Sequence, residues 1–89
     1  MQIISRKTVV DRILAYLNGE VDLAALVDWA ENAMMAATFA HDDERLVRDV
    51  VERLGLADAP DFHLTWEDYD GFLGSLGYQA RVTAVPRAS

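Results

Sequence analysis

Apolar residues recur with the spacing of an α-helix in four segments of the chain. The first segment covers residues 6–18 and stops at Gly19, and the second covers residues 23–39. The third and fourth segments cover residues 43–54 and 65–76. The second segment is apolar on most sides, which is typical of a helix that is buried on most sides. We therefore predict four helices that pack around the second one.

After the fourth segment the pattern changes its period. Between Tyr78 and Val85 every second side chain is apolar, and this alternation, with β-branched residues in it, predicts a strand. Its pairing partner is the N-terminal run "MQII" or a second copy of the chain; a frayed tail is the alternative. The predicted fold class is mainly α, a small four-helix orthogonal bundle with a short C-terminal β-strand. The predicted core contains Val10, Ile13, Leu14, Leu17, Leu23, Leu26, Val27, Ala30, Met34, Leu46, Val50, Leu54, Phe72, Leu73 and Leu76.

Residues that favour helix ends flank these segments. Ser5 and Asp22 are suited to cap the first two helices, because their side chains can accept hydrogen bonds from amides of the first turn. Thr65, with Asp68 three residues later, resembles a capping box. Gly19 can adopt the left-handed conformation that ends many helices. These local signals support the boundaries that the periodicity predicts.

Two glycines, Gly71 and Gly74, lie inside the fourth predicted helix. Glycine in a helix costs up to about 1 kcal/mol relative to alanine. The pair therefore indicates either close backbone packing or a helix of low intrinsic stability.

The composition is that of one globular domain. We assign residues 1–85 to this single helical domain and predict that residues 86–89 form a disordered tail. The absence of cysteine excludes disulfides, thiol nucleophiles and cysteine-based zinc sites. The N-terminal segment lacks the pattern of a signal peptide, and no apolar run approaches the ~20 residues that a membrane span needs. We expect a cytoplasmic protein that does not bind membranes.

The net charge of −7 is unevenly distributed. Residues 20–44 contain seven acidic residues and no lysine or arginine, and residues 58–70 contain five acidic residues and no lysine or arginine. In the third helix each arginine has an acid four positions away, for example Arg48 and Glu52, and we expect such residues to pair. Binding to phosphates needs a basic face, so we expect no nucleic-acid partner. The acidic segments favour a basic protein partner instead.

Sequence patterns for catalysis are weak. His41, beside acidic residues, and His63 have side chains that suit zinc or manganese, but their spacing matches no common metal motif. Ser75 lies in "GSLG" rather than in a nucleophile elbow, and no phosphate-binding glycine loop is present. We expect no enzyme, no cofactor and no metal. A small metal-dependent enzyme using the two histidines is the alternative that this sequence leaves open.

The main functional prediction is a non-enzymatic protein-binding domain whose partner is basic. Carboxylates and aromatic rings both favour contacts with lysine and arginine, and Trp66 or Tyr69 is the predicted anchor. The predicted partner-binding residues are Asp42, Asp43, Glu44, Trp66, Glu67, Asp68, Tyr69 and Asp70.

The alternative is a self-associating, homodimeric structural protein. It would explain the surplus of apolar residues on the second helix and the strand that lacks a partner. Ordinary core packing is the competing interpretation for the apolar surplus. The predicted self-interface residues are Trp29, Met35, Arg81 and Val82.

Two runs, "YLNGEVDLAALVDWA" and "RLGLADAPDFHLTWEDYDGFLGSLGY", resemble a family of small uncharacterised bacterial helical proteins. The early helix, the "NG" turn and the second helix, in an acidic chain, are also similar to those of acidic bacteriocin immunity proteins. This second resemblance implies an immunity- or antitoxin-like inhibitor of a basic nuclease. It implies no particular site residues.

Overall fold

The computed structural model describes residues 3–36, 38–40, 43–79 and 86. In this part of the chain it confirms a mainly helical bundle of four α-helices with a short strand pair. A 3-10 helix at Pro60–Phe62 connects the last two α-helices. In chain order the elements are β1 (Ile3–Ile4), α1 (Arg6–Leu17), α2 (Leu23–Ala36), β2 (Thr38–Phe39), α3 (Glu44–Gly55) and α4 (Trp66–Ser75).

The predicted capping residues start three of the helices. At α1 the Ser5 hydroxyl accepts from the Thr8 amide at 3.3 Å, and the Thr8 hydroxyl accepts from the Ser5 amide at 3.2 Å. Asp22 accepts from an amide in the first turn of α2 at 2.8 Å. At α4 the Asp68 carboxylate accepts from the Thr65 amide at 2.8 Å, and the Thr65 hydroxyl accepts from the Asp68 amide at 3.3 Å. These bonds satisfy amides that have no partner within their own helix.

Glycine ends α1 and α4 but has no packing role inside α4. Gly19 and Gly77 have φ values of 78° and 89°, which L-residues rarely adopt. At Gly71 and Gly74, no described atom lies within 4 Å of the position that a Cβ would occupy. The two glycines were expected to indicate either close backbone packing or a helix of low intrinsic stability. Close packing within the described part of the domain is not observed.

Helix α2 is shorter than the periodicity predicts, and the prediction that it continues to residue 39 is wrong. It ends at Ala36, and Thr38–Phe39 form β2 instead. This strand pairs in parallel with β1, with Ile3 opposite Thr38 and Ile4 opposite Phe39. The pairing buries Ile4 and Phe39. Phe39, which the periodicity assigned to the last turn of α2, therefore enters the core from a strand.

The observed partner of the N-terminal strand is therefore β2. The predicted C-terminal strand covers residues 78–85. Tyr78 and Gln79 are not in a strand, and residues 80–85 lie outside the described part of the chain. The assignment of residues 86–89 to a disordered tail likewise falls mainly on residues outside it.

One core joins all four helices, both strands and the loops that follow α3. Leu14, predicted in the core, is 36% exposed, because α1 turns Val9, Val10 and Ile13 inward instead. The other predicted core residues are buried or packed against the core. The buried residues are Ile4, Val9, Val10, Ile13, Leu26, Val27, Ala30, Ala33, Phe39, Val47, Val50, Val51, Leu54, Ala57, Leu64, Tyr69, Leu73 and Leu76.

None of the described helices has both the length and the apolar character that crossing a bilayer requires.

Candidate protein-binding surfaces

The acidic residues at the start of α3 are engaged within the domain. Asp43 accepts from the Arg6 guanidinium at 2.7 Å, and this hydrogen bond lowers the pKa of the Asp43 carboxyl. Arg6 also donates to the backbone oxygen of Leu76 at 3.4 Å, so it connects α1 with α3 and with the end of α4. Glu44 accepts from Arg48 at 2.8 Å. Asp43 and Glu44 thus already have cationic partners. Asp42 lies outside the described residues.

The start of α4 presents an exposed aromatic–acidic surface, which we call the α4 patch and define as Trp66, Glu67 and Asp70. The Trp66 side chain is 49% exposed, and Glu67 and Asp70 are exposed as well. Among the described residues, no ion pair includes either carboxylate. The structure therefore leaves these two carboxylates and about half of the Trp66 surface open to solvent.

Asp68 and Tyr69, also predicted to bind a partner, have structural roles. The Asp68 carboxylate is held by the backbone and hydroxyl of Thr65, and these hydrogen bonds lower its pKa. Tyr69 is only 4% exposed, with its ring centroid 5.4 Å from that of Tyr16 and 6.4 Å from that of Phe72. Burial raises the pKa of Tyr69 to about 12. The ring of Tyr69 therefore offers almost no surface to a partner, and Trp66 is the exposed one of the two predicted anchors.

Of the residues predicted at a self-interface, two are described. Trp29 is partly buried against the core, and the Arg12 guanidinium lies 5.4 Å from the centre of its ring. Met35, near the end of α2, is 84% exposed. Arg81 and Val82 lie outside the described residues. Within this set, only Met35 presents a large apolar surface to solvent.

Met35 borders an open groove between α2 and α3, which we call the α2–α3 groove. Its volume is about 330 Å³. Leu56, just after α3, is 37% exposed there, whereas Met34 is partly buried. The end of α3 lies close to α2 at Gly55, where a Cβ would be in ordinary van der Waals contact with Cγ of Glu31 at 3.7 Å. The lining residues are Glu31, Met34, Met35, Glu52, Gly55 and Leu56.

Sequence reasoning did not predict this groove as a unit. The adjacent pair Met34 and Met35 was a visible signal, because two neighbouring helix positions point about 100° apart. Met34 packs against the core, whereas Met35 is exposed. Glu52 and Leu56 carry no comparable signal. Their position beside α2 depends on how the two helices cross, and the local pattern of apolar residues does not specify that crossing.

Metal-ligand clusters are not found in the described part of the chain. No group of three histidine, cysteine or acidic side chains there could hold an ion. His63 is exposed, and His41 lies outside the described residues. A depression of about 440 Å³ at the start of α3 is lined by Asp43, Leu46 and Asp49, but Arg45 also lines it and supplies an opposing positive charge.

No known family model, no curated protein and no solved structure matches this chain.

Proposed function

We propose that this protein is a non-enzymatic protein-binding domain that binds a basic partner through the α4 patch. The observation that carries the proposal is the half-exposed ring of Trp66 beside Glu67 and Asp70, whose carboxylates have no ion pair among the described residues. An immunity- or antitoxin-like inhibitor is the form of this function that the short acidic chain supports.

The chemistry of the patch favours lysine and arginine on the partner. An indole face attracts cations, and tryptophan is among the residues that most often dominate binding energy at interfaces. The two carboxylates would steer a basic surface toward the ring and accept hydrogen bonds from it. The net charge of −7 would also attract a basic protein from a longer distance.

A comparative capture experiment tests the proposal. The immobilised protein and its Trp66→Ala/Glu67→Gln/Asp70→Asn variant are exposed to the native lysate, and retained proteins are quantified on both. We expect a basic protein that the unchanged domain retains and the variant loses. Its affinity, measured after purification, should fall as salt rises. A retained protein whose affinity is insensitive to salt, or no difference between the two columns, would refute the proposal.

Self-association is the second candidate function, and the 84% exposure of Met35 is the observation that favours it. Such an exposed methionine at the edge of an apolar groove is suited to an interface between two chains. Light scattering over a wide concentration range tests this candidate. A dimer that Met35→Ser converts to a monomer would support it, and a monomer at every concentration would exclude it.

A further inference from the structure

The α2–α3 groove is lined by apolar side chains and by two exposed carboxylates, Glu31 and Glu52, which we call its rim. Met34, Met35 and Leu56 supply the apolar side chains, and Glu31 and Glu52 supply the rim from opposite helices. Methionine side chains adapt their shape to different ligands, which suits a surface that binds an inserted apolar residue. The groove thus offers both an insertion site and charges that orient whatever enters it.

The carboxylates on the rim are not neutralised within the described part of the domain. No ion pair there includes Glu31 or Glu52. Arg48, which the sequence spacing would pair with Glu52, binds Glu44 instead and lies 4.8 Å from the centre of the Phe39 ring. The described residues that line the groove include no lysine or arginine. Its rim is therefore negative, and a ligand that complements it must be positive.

The charge distribution also decides between the occupants that an apolar groove could accept. In a symmetric dimer the same patch meets itself, so the acidic pair Glu31 and Glu52 of one chain would lie against the same acidic pair of the other. Like charges brought together in this way cost free energy, and the net charge of −7 on each chain adds to the cost. A basic partner would instead be attracted by the two glutamates and by the net negative charge.

We propose that the α2–α3 groove is a docking site for a basic amphipathic helix of another protein. One apolar side chain of that helix inserts between Met35 and Leu56. Lysine or arginine residues on both sides of it contact Glu31 and Glu52. This is the helix-in-groove mode of recognition, with apolar anchors spaced at helical intervals. The site is separate from the α4 patch and uses none of its residues.

The test uses a fluorescent synthetic helix with leucines at i, i+3, i+4 and i+7 and lysines on both sides of that stripe. A second peptide has serine in place of the leucines, and a third has glutamate in place of the lysines. Affinity for the full chain is measured by anisotropy at low and high salt. We expect only the leucine–lysine peptide to bind, with an affinity that falls as salt rises.

Substitutions inside and outside the groove show where on the protein the peptide binds. Met35→Ser should weaken peptide binding roughly tenfold, because the Met35 side chain can then no longer be buried against the bound peptide. Glu31→Gln/Glu52→Gln should weaken it roughly three- to tenfold at low salt and reduce its salt dependence. Matched controls lie outside the groove: Ile3→Thr at an apolar side chain that is 61% exposed, and Glu20→Gln at an exposed carboxylate. Both controls should leave the affinity unchanged.

Several results would overturn the proposal. They are the absence of binding, equal binding of the serine–lysine peptide, or affinity that Met35→Ser and the glutamate variants leave unchanged. A dimer of the free protein that Met35→Ser abolishes would assign the groove to a second copy. Affinity that depends on Trp66 but not on Met35 would overturn the groove while leaving the proposed function of the α4 patch intact.

Discussion

Replacement of Gly71 by alanine should stabilise this protein. Gly71 lies inside α4, is exposed, and has no described atom within 4 Å of the position where the alanine Cβ would be placed. The substitution therefore adds no steric clash. It restores the helix propensity that glycine lacks, a gain of about 0.8–1.0 kcal/mol in the free energy of unfolding. Gly74 meets the same conditions, so Gly74→Ala should give a similar gain.

Urea denaturation followed by circular dichroism measures the effect. The midpoint should rise while the denaturant slope stays unchanged, which identifies a change in stability rather than in the surface exposed on unfolding. In a domain of this size, about 1 kcal/mol corresponds to roughly 4–8 °C in Tm. If Gly71→Ala leaves the midpoint unchanged or lowers it, our reasoning about the open environment of α4 is refuted.

Gly19→Ala is the matched control, because it makes the same chemical change in open space. No described atom lies within 4 Å of a Cβ at Gly19 either, but its φ is +78°. Alanine in this left-handed conformation costs roughly 1–2 kcal/mol. The two variants should therefore shift stability in opposite directions, and backbone conformation is the difference between them.

Three further predictions concern the capping box, the buried tyrosine and the N-terminal strand. Thr65→Ala should lower the free energy of unfolding by about 1 kcal/mol in urea titrations, because the cap on α4 is lost. Burial raises the pKa of Tyr69 to about 12, so the contribution of this group to stability should be constant below pH 10, its ordinary value, and should be lost between pH 10 and 12; ultraviolet titration should follow the ionisation, and thermal melts should show a smaller loss in Tyr69→Phe than in the unchanged protein. Ile4→Ala should destabilise the domain by about 2–5 kcal/mol in denaturation experiments, because this side chain is fully buried in the core; an effect typical of a surface position would contradict the assignment of Ile4 to the core.

Features that depend on neighbouring residues could be predicted from the sequence. Ser5, Asp22 and Thr65 start helices because their side chains accept hydrogen bonds from amides only three positions away, and Gly19 ends a helix through its own backbone conformation. The four helices follow from periodicity in the same way. The interactions concerned lie within a few residues, and short stretches of sequence contain all the information about them.

Features that depend on distant residues could not be predicted. The end of α2 is set by the pairing of Phe39 with Ile4, because backbone bonds to β1 replace the last helical turn. Asp43 was predicted to bind a partner, but Arg6, far away in the sequence, reaches it at 2.7 Å. In both cases the sequence shows the residue type but not its neighbour in space.

The residues of the candidate partner-binding surface on α4 could likewise be predicted only in part. Trp66 and Tyr69 lie three positions apart on one predicted helical face, yet Trp66 is 49% exposed and Tyr69 is 4% exposed. The difference arises because Trp66 is the first residue of α4, whereas Tyr69 packs against Tyr16 of α1. The exposed carboxylates of the α4 patch could be predicted by type. Which of the acidic residues remain unpaired could not.

The pairing of β1 with β2 has a consequence for the order in which the chain folds. It closes a loop that contains both α1 and α2, since Ile3 lies opposite Thr38. Joining the ends of a long loop costs chain entropy, and preformed helices shorten the flexible part that must be closed. We therefore expect this contact to form after the helices, so that its loss by Ile4→Ala accelerates unfolding and leaves the refolding rate nearly constant. The N-terminal strand would then set the lifetime of the folded state rather than the speed of reaching it.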